Sequence, residues 1–341
     1  MSQLTDTLIN IPTALYTHRY VLTYRAIRPV TLTPHSHELA SVFRGALHRA
    51  TTLRFCHQPN DTGRRCGSCN CFYGKLFDPL APRDHQHAGK FKNPPTPYAL
   101  RVLTSHPQYS VGELFRIQID IFGKANDALA DFLRLAQQLP SYFPKNNPHH
   151  FELLDVFEVG EKATDRVELF SHGMLHPSFL QHRYQTKRPD EFQDNLQILT
   201  VNFWTICCLY QRSNPVLLPP FTLLLSRIWE RAWLLNSFYG DGTYPAKAPN
   251  WARILPTEPD ILPNARISHW RKKRTRRFKQ SHKSDRETII GFKGRFQYQA
   301  PYTLNAFLPL LDLGARIHLG KLTVFGLGQY DVKIGKNDFR K

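Results

Sequence analysis

The stretch Leu313-Gly314-Ala315-Arg316-Ile317-His318-Leu319-Gly320-Lys321-Leu322-Thr323-Val324-Phe325-Gly326-Leu327-Gly328-Gln329-Tyr330-Asp331-Val332 carries four glycines in a run that otherwise alternates apolar and polar residues. Gly320, Gly326 and Gly328 free the backbone for positive φ and for close approach to a ligand, while Val324, Phe325, Leu327, Tyr330 and Val332 can hold a closing strand in a core. Backbone N–H groups beside the Lys321 ammonium make an anion site, and His318 is a group that titrates near neutral pH. Taken alone, the run reads more readily as a β-bulge ahead of a last strand. The rest of the chain weighs against that plainer reading.

Outward from this stretch, the charge balance is the strongest global feature: 45 Lys and Arg against 27 Asp and Glu give a net charge of +18. Polyanions are the natural partners of such a surface, bound with a salt dependence that comes from counterion release. Nine of those cations fall between Arg266 and Lys283 with no acid among them: Arg266, Arg271, Lys272, Lys273, Arg274, Arg276, Arg277, Lys279 and Lys283. Trp270 and Phe278 are interleaved, so a basic strand or hairpin with base-stacking aromatics is expected there. With 341 residues there is room for two ordinary domains. No apolar run is long enough for a bilayer, and the N-terminus lacks the basic and apolar segments of an export signal, so a cytoplasmic protein without membrane association is expected.

The periodicities divide the chain twice in the same order. His18 to Ile27 alternates as a strand, and Ser36 to Leu53 places Leu39, Val42, Phe43, Ala46, Leu47 and Ala50 on one helical face, with His48 on the more polar side. Tyr98 to Leu103 and Leu114 to Phe122 read as strands, Lys124 to Leu139 as a helix, and Phe151 to Val159 with Arg166 to Phe170 as a hairpin. A polar stretch from Ser171 to Asp194 marks a boundary. Leu196 to Tyr210 then reads as a strand, Phe221 to Phe238 as a helix, Thr288 to Tyr298 as a strand and Tyr302 to Leu311 as a second helix, ahead of the glycine run and last strand. Strand, helix, strand, strand, helix, strand is the ferredoxin-like order. The expected fold is α+β, with tandem ferredoxin-like (RRM-like) domains over residues 1–175 and 190–341.

Cys56, Cys66, Cys69 and Cys71 lie within sixteen residues, and only two other cysteines occur in the chain. In a reducing compartment, thiolates clustered in one short loop match a tetrahedral structural zinc site, with His57 able to replace one sulfur because Cys69 and Cys71 are so close. An iron–sulfur cluster or a vestigial site is the other reading. A zinc-containing DNA-binding regulator is disfavoured, because neither a helix-turn-helix nor paired histidines at finger spacing accompany the cysteines.

In combination, His318-Leu319-Gly320-Lys321-Leu322-Thr323-Val324-Phe325-Gly326-Leu327-Gly328, the preceding Phe307-Leu308-Pro309-Leu310-Leu311, the helix segment Phe43-Arg44-Gly45-Ala46-Leu47, and cysteines followed by Tyr73-Gly74-Lys75-Leu76-Phe77-Asp78-Pro79 resemble the CRISPR-associated repeat-RNA endoribonucleases of the Cas6 family. The resemblance spans nearly the whole chain. It implies a metal-independent cut within each repeat of a precursor CRISPR RNA, by attack of a ribose 2′-hydroxyl, leaving a 2′,3′-cyclic phosphate and a 5′-hydroxyl. It also implies CRISPR repeat RNA and other CRISPR-associated effector subunits as partners. Many members place the catalytic histidine near the end of the first helix, which points to His48 with Tyr24 as helper. His318 with Lys321 beside the glycine run is the preferred alternative. Arg271, Lys272, Lys273, Arg274, Arg276 and Arg277, with Gly320, Gly326 and Gly328, are the expected RNA contacts. The competing functional class is a non-catalytic subunit that only holds the repeat RNA.

Overall fold

Tyr20, Leu22, Tyr24 and Ala26 line one buried face of strand β1 (Thr17–Ala26), as their alternation dictates, and organise the N-terminal half. The computed structural model describes residues 15–32, 36–55, 71–77, 79, 94–104, 106, 108–144, 148–160, 164–176, 197–240, 249–273 and 286–334. Helix α1 (Ser36–Phe55) and the short α2 (Phe72–Leu76) follow, then β2 (Tyr98–Val102), β3 (Leu114–Phe122), helix α3 (Leu129–Gln138), β4 (Phe151–Val159) and β5 (Arg166–Ser171). The sheet runs β2-β3-β1-β4-β5 and ends in the two-residue strand Met174–Leu175, with each pairing antiparallel. That order of the first four strands is the ferredoxin-like one. Phe43, Leu47 and Ala50 of α1 and Phe132, Leu133 and Ala136 of α3 close one core with Phe115, Ile117, Ile119 and Ile121 of β3.

The second half repeats the plan. Strand β6 (Ile198–Cys207), helix α4 (Phe221–Tyr239), β7 (Asp260–Lys273), β8 (Arg286–Gln299), helix α5 (Leu308–Ile317) and β9 (Tyr330–Ile334) form an antiparallel sheet in the order β7-β8-β6-β9. Leu199, Val201 and Phe203 of β6 pack on Phe221, Leu225 and Ile228 of α4 and on Leu310 and Leu311 of α5. A third apolar cluster joins the halves. Ala99 and Phe122, on the second face of the N-terminal sheet, meet Ala232 and Leu235 of α4 and Leu313 and Ile317 of α5. The helices of the second unit are therefore sandwiched between two sheets, and α5 leads from that seam into the glycine run.

Several local expectations shift. The last helix begins at Leu308, where Pro309 suits a first turn, and not at Tyr302; it runs on to Ile317 because Leu313 and Ile317 bury against the other domain. The helix expected from Lys124 starts as a 3-10 segment, Gly123–Ala128, before α3. The strand expected to Tyr210 stops at Cys207, and Leu209–Gln211 pairs instead with Asn214–Val216. Val324 and Phe325 are in a 3-10 turn, Thr323–Phe325, so the closing strand starts only at Tyr330. Among the described residues no helix is long and apolar enough to cross a membrane.

Candidate nucleic-acid site at the domain junction

The glycine run is folded tightly onto its own chain. Leu319 N–H donates to the Gly328 carbonyl at 2.9 Å, Gly328 N–H to Ile206 at 2.9 Å, and Lys321 N–H to Cys208 at 3.1 Å, which pins the loop across the end of β6. Gly328 has φ of 72°, and a Cβ there would sit 1.7 Å from the Leu319 carbonyl oxygen. Gly326, at φ of 75°, brings the backbone against α1 of the other domain, where a Cβ would meet that of Ala40 at 2.5 Å. Gly320, also at positive φ, approaches the Cys208 carbonyl. The close approaches expected toward a ligand are thus made to the protein itself. Gln329 completes the bridge by donating from Nε2 to the carbonyls of Leu100 in β2 and Gly326, each at 3.0 Å.

His318 follows α5 directly and leaves it at φ of 59°. Its side chain is turned into the seam between the domains, 2% exposed, with Nδ1 buried and without a hydrogen-bond partner. Burial is the main cause that pushes its imidazole down to about 3; Asp120 opposes this, while Arg231, Arg101 and Arg19 reinforce it. Asp120 is itself held by Arg19 Nε at 2.8 Å and Gln118 Nε2 at 2.7 Å. An imidazole so placed is neutral at pH 7 and faces protein on all sides, which argues against the acid–base role expected of it. Lys321, three residues on, points the other way. It is exposed, and its Nζ lies 4.0 Å from the ring centroid of Tyr210.

Ala40, Arg44 and His48 lie four residues apart on one stripe of α1. Ala40 meets Gly326, and the Arg44 guanidinium lies 4.4 Å from the centroid of the Phe325 ring. His48 is the next position along that stripe, and it is half-buried. Its Nε2 shares a 2.9 Å hydrogen bond with the Tyr73 hydroxyl, and its ring stands edge-on to Tyr73 and Phe77. Tyr24, expected as its helper, is a core side chain: 1% exposed, packed on Phe43 and Phe115, with its hydroxyl donating to the Ala136 carbonyl at 3.1 Å. Burial raises that phenol's pKa, so Tyr24 is withdrawn as a proton carrier.

Cys71 caps α2, its sulfur accepting from Gly74 N–H at 3.4 Å. Cys56, Cys66 and Cys69 lie outside the described residues, and among the described residues no group of three or more His, Cys, Asp or Glu side chains is placed to hold a metal. The basic segment enters as the far end of β7, where Arg271, Lys272 and Lys273 pair in register with Thr288, Glu287 and Arg286 of β8. Arg274, Arg276 and Arg277 lie outside the described residues.

Three residues of this junction were not among the expected site residues. Tyr73 sits in a five-residue helix too short to show a period. Arg44 and Phe325 are 281 positions apart, and only the docking of one domain on the other joins them. A partial signal existed in the spacing of Arg44 and His48, one helical turn apart.

Comparison with known families places two models end to end on this chain. Residues 15–182 match AF_1859_N, an N-terminal domain, and residues 201–330 match the CRISPR-associated endoribonuclease Cas6. Among solved structures, a partial Cas6-RT-Cas1–Cas2 complex is similar at 13% identity and a TM-score of 0.55, covering 95% of this chain and 47% of the other. The chain therefore spans about half the length of that relative. Thermus thermophilus Cas6 is similar at 16% identity and a TM-score of 0.50, covering 94% of this chain and 99% of the other. At these identities the likeness is one of fold. Comparison with curated protein sequences gave no match.

Proposed function

We propose that the chain, whose residues 201–330 match the model of the CRISPR-associated endoribonuclease Cas6, is a member of that family and cleaves precursor CRISPR RNA within its repeats by attack of a ribose 2′-hydroxyl. The observation that carries this reading is the stripe of α1 on which Arg44 meets the glycine run and His48 follows one turn later. In the step itself the 2′-oxygen loses its proton and bonds to phosphorus, while the bond to the 5′-oxygen breaks and that oxygen takes up a proton. The products are a 2′,3′-cyclic phosphate and a 5′-hydroxyl. An imidazole paired with a phenol provides two sites for these proton movements, His48 and Tyr73, and the cations Arg44 and Lys321 offset the charge that develops on the phosphorane. These groups carry out the step without calling on a metal. His48 takes the place of His318 in this reading because His318 is enclosed.

The basic end of the β7–β8 hairpin binds the phosphate chain, and the net charge of +18 raises its association rate. The cysteine cluster is proposed to hold a structural zinc that ties its loop together. Cys71, its sulfur oriented by the Gly74 N–H, would be one of the ligands, and such a group supplies no chemistry to the cut. Partners are the repeat RNA and other CRISPR-associated subunits. The similar structure is of a Cas6-RT-Cas1–Cas2 complex, which makes an assembly of that kind a further place for a chain like this one.

Incubation with cognate repeat RNA in chelator tests the reaction. Cleavage that yields a cyclic phosphate, and that stops with a single 2′-deoxy nucleotide before the cut, supports the reading. Tight binding with no cleavage, with or without divalent ions, favours the non-catalytic repeat-binding subunit.

A further inference from the structure

Arg231, on α4, is half-buried at the base of the glycine run. Its Nε donates to the Ile317 carbonyl at 2.8 Å, and a terminal nitrogen donates to Thr323 Oγ at 2.8 Å. Burial pulls its pKa down to about 10, which leaves it charged at neutral pH. Both of these oxygens are neutral, so no carboxylate offsets the partial desolvation of the guanidinium, and the arrangement calls for a reason beyond filling space.

Between the two bonded residues lie His318, Leu319, Gly320, Lys321 and Leu322. His318 and Leu322 both hold positive φ without being glycine, at 59° and 64°. Such conformations persist only where the surroundings over-determine them. The two bonds from Arg231 fall at the residue before the first strained position and the residue after the second. From the loop so held, Lys321 projects over Tyr210.

We infer that Arg231 is a positioning residue for RNA binding: through Ile317 and Thr323 it fixes the loop geometry that presents the Lys321 ammonium to the RNA phosphate chain. The inference rests on the RNA-binding reading above. The role needs a fork of donors reaching two oxygens in different directions, which arginine provides and lysine does not.

The test is a double-mutant cycle on the full chain, read by equilibrium binding of labelled cognate repeat RNA over a range of salt. Thr323→Val keeps the volume of a 4% exposed side chain and removes one arm of the clamp. Lys321→Ala is expected to weaken binding and to lower the salt slope by about one phosphate's worth of released counterion. T323V is expected to weaken binding severalfold, no further than K321A, and to flatten the salt slope in the same direction. In the K321A background T323V should add nothing, because its effect runs through the missing ammonium. Additive losses, or a T323V protein with unchanged affinity and slope, overturn the inference in favour of a purely structural clamp. If K321A binds like the wild type while cleavage persists, the positioning role falls and the endoribonuclease reading stands. If the wild-type protein binds no repeat RNA, the reading itself falls.

Discussion

The guanidinium of Arg44, in the first helix of the N-terminal domain, lies 4.4 Å from the ring centroid of Phe325, in the glycine run of the C-terminal domain. A cation held on an aromatic face contributes about 0.5–2 kcal/mol, depending on how far it is desolvated. Its larger consequence is geometric. It holds the α1 stripe that carries His48 against the glycine run, so two segments that are far apart in sequence are packed together.

Cleavage should separate the two candidate histidines. His48→Ala is expected to lower the single-turnover cutting rate by about a hundredfold to ten-thousandfold with RNA affinity retained. Tyr73→Phe, which removes only the hydroxyl bonded to His48, should lower the rate less. Should His48→Ala cut at the wild-type rate, the acid–base assignment is wrong.

His318 should show itself in stability. Its folded pKa, near 3, lies below the unfolded value of about 6.5, so the unfolded chain takes up the proton first. The contribution is therefore complete above pH 6.5 and is lost progressively as pH falls toward 3. Urea midpoints measured between pH 7 and pH 4 should fall less steeply for His318→Leu than for the wild type. Parallel curves would show that the imidazole is not held neutral in the seam.

Gly328→Ala should be more damaging than its small volume suggests. A Cβ there would lie 1.7 Å from the Leu319 carbonyl, at a φ of 72° that already disfavours alanine. A loss of more than about 1 kcal/mol in unfolding free energy is expected, since relieving the clash breaks the Leu319–Gly328 hydrogen bond as well. Gly112→Ala is the control, because its φ is 89° with nothing within 4 Å of the added carbon. Equal losses for the two variants would mean that backbone strain alone accounts for the effect.

Neutralising Arg271, Lys272, Lys273 and Arg274 together should weaken RNA binding and reduce the salt slope by up to about three to four units, about 0.7–0.9 for each phosphate that is no longer neutralised. An unchanged slope would assign these charges to solvent.

Metal analysis of the purified protein should find about one zinc per chain, released by replacing Cys66 and Cys69 together with Ser. That double variant should lose folding yield more than it loses turnover in the fraction that folds. Full metal content in the double variant would remove the cluster from the zinc site.

Sequence alone determined most of the elements and their order, because burial against a core imprints a period on neighbouring residues; the strand Asp260–Lys273 was legible only through its basic segment. The alternation of Tyr20, Leu22 and Tyr24 and the helical spacing of Leu39, Phe43 and Leu47 are local facts, and the antiparallel ferredoxin-like order of both sheets agrees with them. The net positive charge was equally legible. What the pattern did not hold was the direction in which a polar side chain faces once two domains dock. His318 and Lys321 are three residues apart on a glycine-rich loop and looked alike as exposed groups, yet one is enclosed beside Asp120 and the other is open over Tyr210. Tyr24 likewise read as a phenol within reach of His48, whereas the strand turns it into the core and Tyr73 makes that bond. Partners such as Arg44 with Phe325 and Gln329 with Leu100 are joined only by the packing of one domain on the other, which leaves no periodic trace in either segment.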